Sequence, residues 1–207
     1  MTGRQRRRQY EYQQLQRLDD GRNDIDITVT RQDADGIPCG YLVSYHIRSI
    51  CGINEEDLAP VFADEFLMAI DIPDDYPQVD APPHFHFIEN HPATDVDHHS
   101  VVESHPATDV DHPSVVESHP ANGRHYPLPW HPNIRYYGDM AGHVCINQLN
   151  TFTDISWGVE RVALYLRYEL YHALLEAPYP EDLKVAEWVR HVGEPKEYIF
   201  FDQSVKG

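Results

Sequence analysis

Cys145 offers the most chemistry of any side chain in this 207-residue sequence, and it lies twelve residues after Asn133. The two sit in the stretches "HPNI" and "GHVCI". A thiolate is the reactive form of cysteine, and near a free pKa of about 8.5 only a small fraction is ionised at neutral pH. An acyl group held on sulfur is a thioester, which passes readily to an amine. Attack by that amine creates a tetrahedral oxyanion. A side-chain amide such as that of Asn133, aimed at the oxyanion, would contribute roughly 2.7–4 kcal/mol. The pairing of His131-Pro132-Asn133 with Cys145 therefore has a chemical purpose if the chain folds back between them. Pro-Asn also marks ordinary turns, and a plain turn former is the lesser alternative for Asn133.

The same sulfur allows a second chemistry. His143 stands two residues before Cys145, and alternate residues of an extended segment share a face. With His143 or His131 as base and an acidic partner, Cys145 would make a thiol hydrolase. Such enzymes usually place the cysteine at a helix N-terminus, which lowers its pKa. Here "AGHVCINQ" reads as extended or loop until a helix opens near Trp157. That favours transfer of an acyl group that arrives already activated. A third reading is a non-enzymatic module that presents or scaffolds another protein. Asp182, in "YPED", reads either as the N-cap of the final helix or as an acid that orients an incoming amine.

The elements that must position these residues follow from periodicity. Residues 4–18, with good helix formers and Leu15 and Leu18 three apart, predict a helix. "DIDITVT" and "GYLVSYHIRSI" predict two strands joined by a turn at Asp33–Gly36. "EFLMAIDIP" and "HFHFI" predict two more, separated by "PDDYPQVDAPP", whose prolines predict a stiff extended loop. A helix is expected from Trp157 to about Glu176, with Val159, Val162, Ala163, Leu166, Leu170, Leu174 and Leu175 on its apolar face. A last helix is expected over 181–192, carrying Leu183, Val185, Ala186, Trp188 and Val189. This order predicts an α+β fold: a four-stranded antiparallel meander with an N-terminal helix and C-terminal helices.

Length suits a single domain spanning 1–207, and 41% hydrophobic content is enough for a core. The formal charge of −18 argues against general nucleic-acid binding and against adsorption to an anionic membrane. No apolar run approaches the ~20 residues that span a bilayer. The basic start "MTGRQRRRQYEYQQ" is followed by no apolar segment, so no secretory signal is expected in it. Cys39, Cys51 and Cys145 are odd in number and lack metal-type spacing, which predicts reduced thiols in a cytoplasmic protein, with Cys39 and Cys51 in the core or at an edge.

A tandem repeat interrupts the plan. "HPATDVDHHSVVES" at 91–104 returns as "HPATDVDHPSVVES" at 105–118, and "HPAN" opens a third copy at 119. The prolines rule out a continuous coiled coil, so 91–120 predicts an exposed, mobile His/Asp-rich insertion. Its histidines and aspartates invite a metal reading, yet such a tract would bind metal weakly because it must first be ordered. No metal and no cofactor is expected.

In sequence order, "FLMAIDIPDDYPQVDAPPHFHF", "HPNI", "GHVCI", Trp157 and "LLEAPYPEDLKVAEWV" make the chain resemble a ubiquitin-conjugating enzyme over about residues 26–192, apart from the insertion. The resemblance implies that Cys145 accepts the carboxyl end of a ubiquitin-like modifier as a thioester and passes it to a lysine of a target protein. It implies that Asn133 stabilises the oxyanion or holds the loop, that His131 braces the turn, and that Asp182 serves as an acidic gate near the lysine. It further implies that Arg6, Arg7 and Arg8 on the first helix dock an activating enzyme. The Asn133–Cys145 spacing is longer than in familiar eukaryotic members. Gly158-Val159 follows Trp157 where many members carry a ligase-gripping Ser-Pro-Ala. Such divergence resembles the bacterial conjugating enzymes encoded beside ubiquitin-like proteins, some of them in antiviral defence operons.

Overall fold

The computed structural model describes residues 1–78, 82–89, 125–146 and 154–201. The tandem repeat lies outside the described residues. Helix α1 spans Gly3–Gly21 and opens with a reciprocal cap: Thr2 Oγ1 accepts from the Gln5 amide while the Gln5 side chain accepts from the Thr2 amide. Its buried face is Arg8, Glu11 and Leu15, a helical spacing that puts two charges inward.

Four strands form one antiparallel sheet in the order β1-β2-β5-β6: β1 Ile25–Gln32, β2 Pro38–Tyr45, β5 Phe66–Asp71 and β6 His84–Phe87. The β1–β2 turn falls at the expected place. Asp33 Oδ1 accepts from the Asp35 and Ile37 amides, and Gly36 takes the left-handed backbone (φ +76°) that its missing Cβ permits. Along β6 the side chains alternate, with Phe85 and Phe87 inside and His84 and His86 outside. Phe66, Met68 and Ile70 of β5 join Tyr41, Val43 and Tyr45 of β2 beneath helix α2, Ile155–Leu166.

Four expectations need correction. "GYLVSYHIRSI" is not one strand. The chain leaves the main sheet after Tyr45, and its Ser49–Ile53 part (β3) pairs with Pro60–Ala63 (β4) in a separate two-stranded sheet. Helix α2 stops at Leu166 rather than near Glu176. Tyr168 adopts a left-handed φ of +57°, its ring is buried, and its hydroxyl donates to the Trp130 carbonyl. That anchor opposes the roughly 1–2 kcal/mol such a backbone costs a non-glycine residue. Leu174 and Leu175, read as helix face, are 53% and 40% exposed. The final helix is α3, Leu183–Trp188, followed by a π-helical turn at Val189–Gly193. Leu183 is exposed, whereas Val185, Ala186, Trp188 and Val189 pack with Ile50 and Trp130 in a second core.

The loop after β5 also differs from a simple extended spacer. Residues 74–77 turn, with the Tyr76 amide bonded to the Pro73 carbonyl. Tyr76 is drawn inward by Glu11, a fully buried carboxylate. Glu11 Oε1 accepts from the Tyr76 hydroxyl and from Arg7 Nε, and Oε2 accepts from the Ile155 amide at 2.8 Å. The last bond places a negative charge at the positive end of α2. Glu11 thereby ties α1, the Tyr76 loop and the helix behind Cys145 together.

Candidate active site

Residues 133–145 form an irregular antiparallel hairpin. Ile134 and Val144 are bridged; the Cys145 amide donates to the Asn133 carbonyl at 2.9 Å, and the Arg135 amide donates to the His143 carbonyl at 2.9 Å. This register sets Asn133 opposite Cys145 and Arg135 opposite His143. Opposed residues of an antiparallel pair put their side chains on one face, with Cβ atoms ~4.5–5.5 Å apart. Val144 and Ile134 point the other way and are buried. The hairpin is held to β6: the Val144 amide donates to Phe85 O, the Phe87 amide donates to Gly142 O, and His143 is bridged to His86.

Gly142 is what lets the hairpin sit there. Its φ is +92°, and a Cβ at this position would lie 2.2 Å from the Phe87 carbonyl oxygen. Gly138, at φ +82°, faces open space. Gly138→Ala is expected to cost about 1 kcal/mol from backbone strain alone. Gly142→Ala should cost roughly 1–3 kcal/mol more because the strand must shift. Denaturation midpoints of the two variants measure the difference, and equal losses would contradict the close approach. Gly158, which follows Trp157, has a similar cause: its Cβ would lie 2.7 Å from the Phe85 ring.

His131 is fully buried. Its ring stacks on Tyr165 with centroids 4.9 Å apart. Nδ1 accepts from the Asn133 amide and Nε2 donates to the Leu170 carbonyl, both at 3.2 Å. Both nitrogens are therefore occupied in bracing the turn. Burial pushes the His131 pKa down to about 3, so the ring stays neutral throughout the physiological range. The depressed value means that the unfolded chain binds this proton first, so His131 disfavours the fold as pH falls from about 6.5 toward 3. An NMR titration is expected to show no protonation of this ring above pH 4; a midpoint near 6 would contradict its burial.

The segment 170–182 covers one side of the hairpin. Asn133 Oδ1 accepts from the His172 amide at 2.8 Å, so the carboxamide NH2 is the half of the side chain left to donate to a ligand. The Asp182 amide donates to the Pro132 carbonyl, and the buried Asp182 carboxylate accepts from the Tyr136, Lys184 and Val185 amides. Asp182 is thus the N-cap of α3 and clasps the hairpin.

Its neighbour Glu181, not singled out by the sequence, reaches the hairpin's face. Glu181 Oε1 accepts from Arg135 Nε and Nη2 at 3.2 and 3.1 Å and lies 3.3 Å from His143 Nδ1. Burial pushes the Glu181 carboxyl up, but the hydrogen bonds from His143 and Arg135 outweigh it and hold the pKa below the ordinary value. The cluster has no linear signature, because Arg135, His143 and Glu181 meet only once the hairpin register is set.

Cys145 is half-buried at the end of this face, and its carbonyl accepts from the Tyr165 hydroxyl. None of the three cysteines is disulfide-bonded. Burial raises the pKa of the Cys39 and Cys51 thiols, as befits packed rather than reactive sulfurs. Of the α1 arginines expected to dock an activating enzyme, Arg8 is buried against Asp33 and the Pro73 carbonyl, and Arg7 is paired with Glu11; Arg6 is exposed. Among the described residues no cluster of His, Cys, Asp and Glu could hold a metal ion, and no helix is long and apolar enough to cross a membrane.

These features define an α+β protein with a half-buried thiol opposite a buried asparagine. No protein-family model matches the sequence, and no curated protein does. Among solved structures the chain is similar to a Plasmodium yoelii protein assigned as a ubiquitin-conjugating enzyme. Identity there is 16% and the TM-score 0.46, over 97% of this chain and 90% of that one. It is also similar to the conjugating-enzyme domain of a ubiquitin-conjugating enzyme from Toxoplasma gondii, at 14% identity and a TM-score of 0.41, over 92% of each chain. A likeness at this level leaves the function to be argued from the chain's own residues.

Proposed function

We propose that the protein carries a ubiquitin-like modifier as a thioester on Cys145 Sγ and transfers it to a lysine amine of a target protein. The observation that carries this reading is the opposition of Asn133 and Cys145 across the Ile134–Val144 bridge. A carbonyl carbon on Sγ would have its oxygen within reach of the Asn133 NH2, whose orientation the His172 amide fixes through the other half of the carboxamide. An activating enzyme would deliver the modifier by exchanging one thioester for another, a nearly balanced step. Amide formation on lysine then runs downhill. The protein itself needs no cofactor, since ATP is consumed upstream.

In this reading His131 and Asp182 hold the hairpin against the 170–182 segment. The exposed Arg6, rather than the buried Arg8, belongs to the surface that meets the activating enzyme. The divergent spacing between Asn133 and Cys145 supports a bacterial-type pathway. A second reading, a thiol hydrolase, is favoured by one contact, the His143–Glu181 pair. His131 has no nitrogen to spare for it.

Intact mass of the protein mixed with candidate modifiers, activating enzyme and ATP decides between them. A gain equal to one modifier that disappears with thiol reductant is expected. Release of a modifier tail without ATP, and without such a gain, would establish the hydrolase instead.

A further inference from the structure

The face of the hairpin that carries Cys145 also carries a polar triad that thioester formation does not require. Val144 is buried and bridged to Ile134, so His143 and Cys145, on either side of it, project to the opposite and more open side. Arg135 lies across from His143, as Asn133 does from Cys145. Glu181 joins the two members of the outer rung, taking two hydrogen bonds from Arg135 and one from His143. A carboxylate only accepts, so the hydrogen of the imidazole sits on Nδ1 and the lone pair on Nε2. The other titratable groups near the ring are Cys145 on its own strand and His86 on β6, which in turn feels the charge of Asp71. Glu181 is the carboxylate that touches it.

Resting on the thioester reading, we propose that His143 is the base that takes the proton of the attacking lysine, with Glu181 and Arg135 as positioning residues. A lysine amine is almost wholly protonated at neutral pH, and the ammonium has no electron pair with which to attack. The arriving ammonium gives one proton to His143 Nε2 and attacks as the neutral amine. The C–N bond forms, and the C–S bond breaks with its electron pair going to sulfur. The second proton lost from nitrogen leaves with that sulfur as the thiol. The imidazolium, held beside the Glu181 carboxylate, returns its proton to water. Asp182, whose carboxylate is occupied by three amides, does not have this role. The arrangement also separates the work on the hairpin: the inner rung serves the oxyanion and the outer rung the proton.

The test times single-turnover discharge of purified thioester. His143→Gln is expected to slow transfer to free lysine about 10²-fold, within the usual range for a positioned base. Hydroxylamine, which is largely unprotonated at neutral pH, should discharge the same variant at close to the wild-type rate, and added imidazole should restore part of the lysine rate. Glu181→Gln should slow lysine transfer about tenfold and shift its pH profile. Normal lysine discharge by His143→Gln would overturn the inference alone. So would equal slowing with lysine and hydroxylamine without imidazole rescue, which would mark a structural role. A wild-type protein that forms no reductant-sensitive adduct would overturn the thioester reading and this inference with it.

Discussion

Cys145→Ala is expected to abolish the reductant-sensitive adduct, and Cys145→Ser to replace it with one that survives reductant and yields to mild base. The contrast follows from the leaving atom. A thiol is acidic enough to present some thiolate near neutral pH, whereas a serine hydroxyl is not, so the ester forms slowly. Once formed it is less reactive toward amines, because oxygen stabilises an acyl group that sulfur leaves activated. Both variants should fold normally. The amide and carbonyl of residue 145 bond to the Asn133 carbonyl and the Tyr165 hydroxyl, and neither bond uses the side chain. Mass spectrometry with and without reductant reads the outcome directly. An adduct on Cys145→Ala would place the modifier on another residue. Full biological activity of that variant would make the protein a scaffold.

How much of this was legible beforehand depended on whether the signal was local. The Asp33–Gly36 turn was readable because it needs one carboxylate to accept two nearby amides and one glycine at positive φ. The helix start at residues 3–5 and the apolar face through Leu166 were equally local. The break in "GYLVSYHIRSI" was not, because β-branched and aromatic residues suit either sheet and only pairing with Pro60–Ala63 distinguishes them. Leu170, Leu174 and Leu175 kept the helical period beyond the point where the buried Tyr168 ends the helix. Glu11 lies on a polar helix and was not singled out by the sequence. Its place three residues from Arg8 and four from Leu15 was the available hint that it faced inward. At the site, Asn133 and Cys145 were identifiable by type, but their opposition depends on the hairpin register. Glu181 was invisible for the same reason, being 38 residues from His143.

The oxyanion role of Asn133 calls for two substitutions, because its carboxamide does two things. Asn133→Ala removes the NH2 donor and also the oxygen that anchors the His172 amide. Loss of the donor is expected to slow discharge by about 10²–10³-fold, the usual cost of one oxyanion donor. Loss of the anchor leaves a buried amide without its partner, which costs about 1–3 kcal/mol of stability and loosens the 170–182 cover. Asn133→Asp separates the effects. It keeps an acceptor for His172 but offers no hydrogen, and it sets a negative charge where another develops. If the donor matters, Asn133→Asp should load modifier, discharge it at least as slowly as Asn133→Ala, and retain more of the wild-type denaturation midpoint. If the anchor matters, Asn133→Asp should discharge at close to the wild-type rate while Asn133→Ala does not. That second pattern would reduce Asn133 to a brace and leave the oxyanion to water or to a donor on the modifier itself.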